Sequence, residues 1–253
     1  MHGTIDWQQS GALATVTISN PPRMNALTRA MWRQLREVFL DIASCAAVRC
    51  VQVQGAGAHF CAGGDISEYP AFRFDAQSLQ HFHEIEVWGG LQAVLDCPVP
   101  VLAVVRGNCM GAGLEIASAC DLRLGDSESL YGAPIARLGF PMAPREAALV
   151  RQSVGATTAT AMLLAAEVFD AAHMLRCGFL TWSVSAEDLP TKATALTDRV
   201  MALSPQAARL NKRVLRQGMP ATQPTSESAY AYAASAEHRE GVQAFLDKRR
   251  PAF

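Results

Sequence analysis

The segment from Val99 to Asp121 constrains this chain most. Val99-Pro-Val-Leu-Ala-Val-Val105 is an apolar, β-branched run, short enough for a strand buried on both faces. Leu114, Ile116 and Ala117, set among small residues, suit a helix packed inside a core. Gly107, Gly111 and Gly113 lie between the two. Glycine permits positive φ and lets a ligand approach the backbone closely. The first amides of a helix have no intrahelical acceptor, and the helix dipole adds positive potential around them. A strand, a glycine turn and a helix start therefore offer N–H groups to an anion, or to an oxygen that becomes one.

One ionisable side chain, Glu115, stands inside this apolar stretch. It reads either as a first-turn carboxylate complementing the helix dipole or as a general acid or base beside an oxyanion site. The apolar neighbours favour the second reading, because a carboxylate is costly to bury without a partner or a task.

The rest of the chain narrows the class. With 253 residues it can bury one large core plus a small appendage. A net charge of −1 gives no electrostatic case for nucleic acid or for an anionic membrane surface. No apolar run reaches the roughly 20 residues that span a bilayer. The first residues lack the basic and apolar regions of a secretory signal, so the expectation is a soluble, cytoplasmic protein. Seven cysteines form no C-x-x-C pair and mostly sit in apolar segments, which suggests free thiols and no metal site. Cys61 and Cys109 lie beside glycine turns, but a nucleophilic role would need a partner base.

In chain order, Ala12 to Ile18 alternates as a strand that Asn20-Pro-Pro22 ends. Asn25 or Thr28 caps the next helix, whose buried face carries Met31, Leu35, Val38 and Ile42. Val48 to Gln54 is a second strand. Phe60-Cys-Ala-Gly-Gly-Asp-Ile66 is a second glycine turn; Asp65 can pin it by accepting nearby amides, whether the turn is functional or an ordinary connection. Residues 72–95 read as a helical stretch in which His81, His83, Glu84 and Glu86 fall on a solvated face, with His83 or Trp88 as possible pocket walls. Asp170 to Gly178 looks like a capped helix with a glycine stop and a surface His173. From about Leu189 the texture turns helical, with segments 192–203 and 205–216 and two more helices after Thr225. Residues 1–188 thus read as a core domain and 189–253 as a helical region that covers the core or forms a subunit interface. Repeated strand–helix units indicate an α/β layered fold. If the two glycine turns face each other, their amides converge on one oxygen.

These pieces resemble the crotonase superfamily, the enoyl-CoA hydratase/isomerase proteins. The likeness rests on Asn20-Pro-Pro-Arg-Met-Asn-Ala-Leu27, Gly55 to Ile66, Gly107 to Asp121, and the closing Glu240 to Phe253. It covers nearly the whole chain in order. It implies a spiral of β-β-α units followed by a C-terminal helical trimerisation region, in a homotrimer or a dimer of trimers. It implies an acyl-CoA substrate, so coenzyme A enters as part of the thioester and no cofactor is permanently bound. The backbone amides of Gly64 and Ala112 would hold the thioester oxyanion. Glu115 would be the acid/base. Arg23, Ala26, the segment from Ala62 through Gly64, Asp65 and Ile66, and Gly111 would contact the substrate or its coenzyme. Phe245 and Lys248 would touch the coenzyme, in some members that of a neighbouring subunit.

The chain departs from the family pattern at Ile135 and again in the stretch Pro141-Met-Ala-Pro-Arg-Glu146, where the family usually has a glycine-rich run. Hydratases of this kind use two glutamates, the second after the proline of a P-E-x-x-x-G segment. Here that segment is Pro134-Ile-Ala-Arg-Leu-Gly139, and Ile135 can neither transfer a proton nor hold water. Glu146, a few residues on, reads either as a carboxylate that reaches the pocket or, the favoured reading, as an exposed helix-start carboxylate. One base and an oxyanion site suffice to move a double bond, so isomerisation stands beside hydration as an expected activity. A thioester-binding homologue with little turnover is the alternative. The choice of acyl group rests on how residues 67 to 95 line the pocket.

Overall fold

A computed structural model describes residues 3–217 and 230–253. Its strands are β1 (Thr4–Ser10), β2 (Leu13–Ser19), β3 (Cys50–Gly55), β4 (Val101–Val105), β5 (Asn108–Met110), β6 (Leu122–Asp126), β7 (Leu130–Gly132), β8 (Val168–Asp170) and β9 (Trp182–Val184). The larger sheet has the order β1-β2-β3-β4-β6-β9, parallel except for the β1–β2 hairpin. A small sheet, β5-β7-β8, stands beside it.

Alternation along β4 divides the interior into two cores. Val101, Ala103 and Val105 join the main cluster. Leu102 and Val104 join a second cluster with Leu124, Leu189, Ala193 and Leu196. Of the run Val99–Val105 expected to be a doubly buried strand, Val101–Val105 forms β4 and is buried at every position, while Pro100 is half-buried. Helix α1 (Arg29–Ser44) covers the main face with Met31, Trp32, Leu35, Val38, Phe39 and Ile42, and α8 (Leu189–Met201) covers the other. Thr28 caps α1 by accepting the Met31 amide at 3.2 Å. Asn25 instead sits at φ 61° and donates to the carbonyls of Ala56 and His59 at 2.8 and 2.7 Å, which ties the first loop to the second.

Between β3 and β4 the chain forms α2 (Ala76–His81), one π-helical turn (Phe82–Val87) and α3 (Trp88–Asp96). From Val101 to Asp121 the central stretch is β4, then β5, then α4 (Ala112–Ala119), with β5 inserted where a plain turn was expected. It bridges to the other glycine loop: the Cys61 amide donates to the Asn108 carbonyl and the Met110 amide to the Cys61 carbonyl, both at 2.9 Å. Helices α5 (Pro144–Val154), α6 (Ala156–Leu164) and α7 (Ala171–Arg176) follow. Asp170 caps α7 as expected, accepting the His173 amide at 2.7 Å, and Gly178 closes it at φ 82°. His173 is half-buried rather than on the open surface, stacked on Phe169 at 4.0 Å.

The C-terminal region holds α8, α9 (Pro205–Gln217), a 3-10 turn (Ala231–Ala234) and α10 (Ala236–Leu246). Of the two helices expected after Thr225, α10 is seen, and residues 225–229 lie outside the described residues. Lys212 anchors α9 to the sheet. Its buried ammonium donates to the Val99 carbonyl at 2.8 Å and pairs with Asp121 at 2.7 Å. No helix among the described residues is long and apolar enough to cross a membrane.

Candidate active site

The two glycine turns meet. Gly63 has φ 119° and Gly111 has φ 45°, and a Cβ built on Gly111 would lie 3.6 Å from the Gly63 Cα. Gly113 packs closer still: its Cβ would come within 2.8 Å of Cys61, so a larger residue would push the helix off the loop. A cavity of about 340 Å³ opens beside this contact. Ala62, Gly63, Gly64, Gly111 and Ala112 form one wall, and Glu115 stands among them.

Local hydrogen bonding fixes where the amides point. The Leu27 amide donates to the Gly63 carbonyl at 2.8 Å, and the Asp65 amide donates to the Leu27 carbonyl at 2.7 Å. In such a parallel bridge the intervening residue, Gly64, turns its own N–H away from Leu27. Ala112 is the first residue of α4, and no capping side chain serves that end. Among the described residues neither the Gly64 nor the Ala112 amide finds an acceptor. Two unspent donors therefore border one cavity.

Helix α4 is apolar all round and buried at every position except Glu115, which keeps part of its surface open to the cavity. Burial raises the Glu115 carboxyl to about 8; the nearby Glu146 carboxylate adds to the rise and the Arg73 guanidinium opposes it. The neutral form of the carboxyl is favoured as a result. Ile135 lines the same cavity. Cys61 and Cys109 are fully buried free thiols, and burial pushes Cys61 up to about 12, which disfavours the thiolate.

Two expectations about carboxylates are corrected. Glu146 is not exposed at its helix start: it is 2% exposed and faces inward from the first turn of α5. Its Oε1 lies 3.1 Å from Nδ1 of His83, which itself lines the cavity. Glu86 is not on a solvated face either. It is buried, and Arg29 and Arg33 donate to it at 2.7 to 2.8 Å. The π turn accounts for both results. Its i→i+5 bond, from the Trp88 amide to the His83 carbonyl, advances the face of the helix, so His83 meets the cavity while Glu86 meets α1. Trp88 lies outside this cavity and carries Arg145 over its ring at 4.1 Å; Arg145 also donates to Glu84 at 3.3 Å.

The remaining sequence-derived residues fall at several distances from this centre. Asp65 is buried and holds the loop, accepting from the Ser67 amide and hydroxyl at 3.1 and 2.7 Å and from Arg23 at 3.0 Å. Ile66 is exposed at the cavity mouth. Ala26 is buried, and its carbonyl accepts from Asn20 at 2.8 Å. Phe245 and Lys248 are exposed and do not line this cavity; Phe245 borders a separate groove between α9 and α10. Tyr69, Arg73 and Phe140 line the cavity without having been singled out from sequence. The four-residue spacing of Tyr69 and Arg73 was the one available signal for them.

A model of the enoyl-CoA hydratase/isomerase family matches residues 8–253. The chain belongs to that family. Among its relatives, this family member is 33% identical over 257 residues to a protein of Rhodobacter capsulatus named "Probable enoyl-CoA hydratase", with 99% of this chain and 97% of that protein covered. It is 27% identical over 259 residues to a probable enoyl-CoA hydratase of Mycobacterium tuberculosis, covering 99% and 97%. The crystal structure of an enoyl-CoA hydratase/carnithine racemase from Magnetospirillum magneticum superimposes with a TM-score of 0.94 at 32% identity, covering 98% of this chain and 94% of that one. The fold is the crotonase-like α/β spiral.

Proposed function

We propose that this enoyl-CoA hydratase/isomerase family member transforms an acyl-CoA thioester, with Glu115 as the acid/base. The amides of Gly64 and Ala112 hold the thioester oxygen as it gains charge. The observation that carries this reading is the presence of Glu115 and two unspent backbone donors on the walls of one cavity. In hydration of a 2-enoyl-CoA, Glu115 takes a proton from water as its oxygen bonds to C3. The C2–C3 π electrons pass to the thioester oxygen, and the same proton then returns to C2. In isomerisation of a 3-enoyl-CoA, Glu115 removes a proton from C2, the two amides hold the dienolate, and the proton is delivered to C4. Each such amide is worth roughly 3 kcal/mol of transition-state stabilisation.

Arg23, Ala26, Ala62, Asp65, Ile66 and Gly111 border the path for the coenzyme in this reading, and Phe245 and Lys248 of a neighbouring copy complete it. Coenzyme A arrives with the substrate. A trimer, or a dimer of trimers, assembles through the C-terminal helices; exposed Val214, Leu215, Val242, Phe245 and Leu246 support this. His83, oriented by Glu146, supplies a second proton-transfer group near Ile135, where the family's second glutamate would stand. The alternative is an acyl-CoA-binding homologue with weak or no hydratase activity, and Ile135 in the cavity wall favours it.

Incubation with crotonyl-CoA and with a 3-enoyl-CoA separates the readings. The expected result is water addition or double-bond migration that falls by at least about 100-fold in Glu115→Gln. Tight thioester binding without turnover of either substrate would replace the enzyme reading with the binding one.

A further inference from the structure

Arg73 is the unusual charge in this cavity. It follows the 3-10 turn Ile66–Ala71, and its amide donates to the Tyr69 carbonyl at 2.9 Å. Its guanidinium stacks 3.9 Å from the centre of the Phe140 ring and 4.5 Å from that of Tyr69. Those two rings meet nearly edge-on, with centroids 5.9 Å apart, and so form a corner that confines the guanidinium on two sides. Stacking occupies the faces of a guanidinium and leaves the N–H groups on its edges available.

Nothing among the described residues takes those donors. Among the described residues Arg73 has no acid within 4 Å and no side-chain hydrogen-bond acceptor. Other guanidinium groups around the site do find oxygen. Arg137 donates to the Ala166 carbonyl at 3.0 Å, Arg29 to Glu86 at 2.7 Å and Arg23 to Asp65 at 3.0 Å. Arg73 is half-buried, and desolvation lowers its pKa, so an oxygen partner would relieve a real cost. Glu115 does not provide that partner: it lines the same cavity, but among the described residues it makes no ion pair with Arg73. The guanidinium thus stands in the cavity wall without a carboxylate hydrogen-bonded to its edge. The cavity volume of about 340 Å³ lies at the small end for ligand sites, which suits a short acyl group.

We propose that Arg73, clamped between Tyr69 and Phe140, is a recognition site for a carboxylate at the far end of the acyl group, so that the preferred substrate is the CoA thioester of a short dicarboxylic acid. The inference rests on the thioester reading of the same cavity. Two parallel N–H···O bonds from the guanidinium edge match a carboxylate, and an uncharged acyl tail of the same length leaves those donors unpaired.

The test measures binding of unreactive thioesters by calorimetry. Glutaryl-CoA is expected to bind the wild-type protein at least about tenfold tighter than butyryl-CoA. In Arg73→Met that preference is expected to fall below about twofold, and Arg73→Lys should restore part of it. Circular dichroism and melting check that each variant is folded; the comparison of the two thioesters within the wild-type protein stands without any variant. Equal affinity for the two ligands in the wild-type protein would overturn the carboxylate site and leave the thioester reading intact. So would a preference that survives in Arg73→Met. Parallel loss of glutaryl-CoA, butyryl-CoA and free coenzyme A in Arg73→Met would assign the guanidinium to the coenzyme instead. Failure of the wild-type protein to bind any CoA thioester would overturn the thioester reading itself.

Discussion

A carboxyl group with two lives lies at the residue scale. Glu115 is a cost to the fold and, in the proposed function, an asset to the site, and both follow from its burial. A free glutamate titrates near 4.3, whereas in the folded chain burial lifts Glu115 to about 8. Between those values the folded chain holds a proton that the unfolded chain has released. Stability therefore falls as pH rises through that window and is level outside it. Glu115→Gln removes the cost. The stability difference between variant and wild type, from denaturant titrations, is expected to be near zero at pH 4. It should grow to a few kcal/mol in favour of the variant by about pH 8. A pH-independent difference would place the carboxyl in a wetter setting than this one. Glu115 was legible in sequence because its neighbours in the chain are also its neighbours in space. Glu146 was not: its partner His83 lies 63 positions away, and only packing turns a first-turn glutamate inward.

At the scale of elements, the site is the junction of two loops and one helix start. Thr28, Asn25 and Asp65 hold the loops through short-range or loop-to-loop hydrogen bonds, and Gly63, Gly111 and Gly113 let them touch. The Ala112 amide can be removed with little harm to the helix, since proline suits the first helical turn and its missing N–H is one that the helix does not use. Ala112→Pro is expected to keep its melting temperature within a few degrees and to lose about 100- to 1000-fold in kcat on the thioester that the wild type turns over. Steady-state kinetics beside a thermal melt checks both halves. The π turn at Phe82–Val87, like β5, is an element that the sequence did not disclose. A one-residue change in helical register depends on which neighbours the helix must satisfy, here Arg29 and Arg33 on one side and Glu146 on the other.

At the scale of the whole molecule, one strand serves two cores. β4 sends alternate side chains to opposite faces, and α1 and α8 close those faces. Beyond α8 the chain keeps apolar surface outside: Leu215 is 81% and Phe245 82% exposed. Large apolar side chains gathered on the C-terminal helices are the surface that the proposed trimer would bury. Leu215→Asp combined with Phe245→Asp is expected to lower the assembly state measured by sedimentation velocity, with far-ultraviolet dichroism unchanged. An unaltered sedimentation coefficient would move the interface elsewhere. What the sequence determined by itself was local: a strand buried on both faces, glycine turns with free amides, a carboxyl set in apolar surroundings and a helical end. Those features arise from residues adjacent in the chain, and a motif records them directly. Tertiary structure decided which distant side chains share the cavity. His83 with Glu146, and Arg73 between Tyr69 and Phe140, are juxtapositions made by packing, because the direction a side chain faces is set by the surface its element must bury.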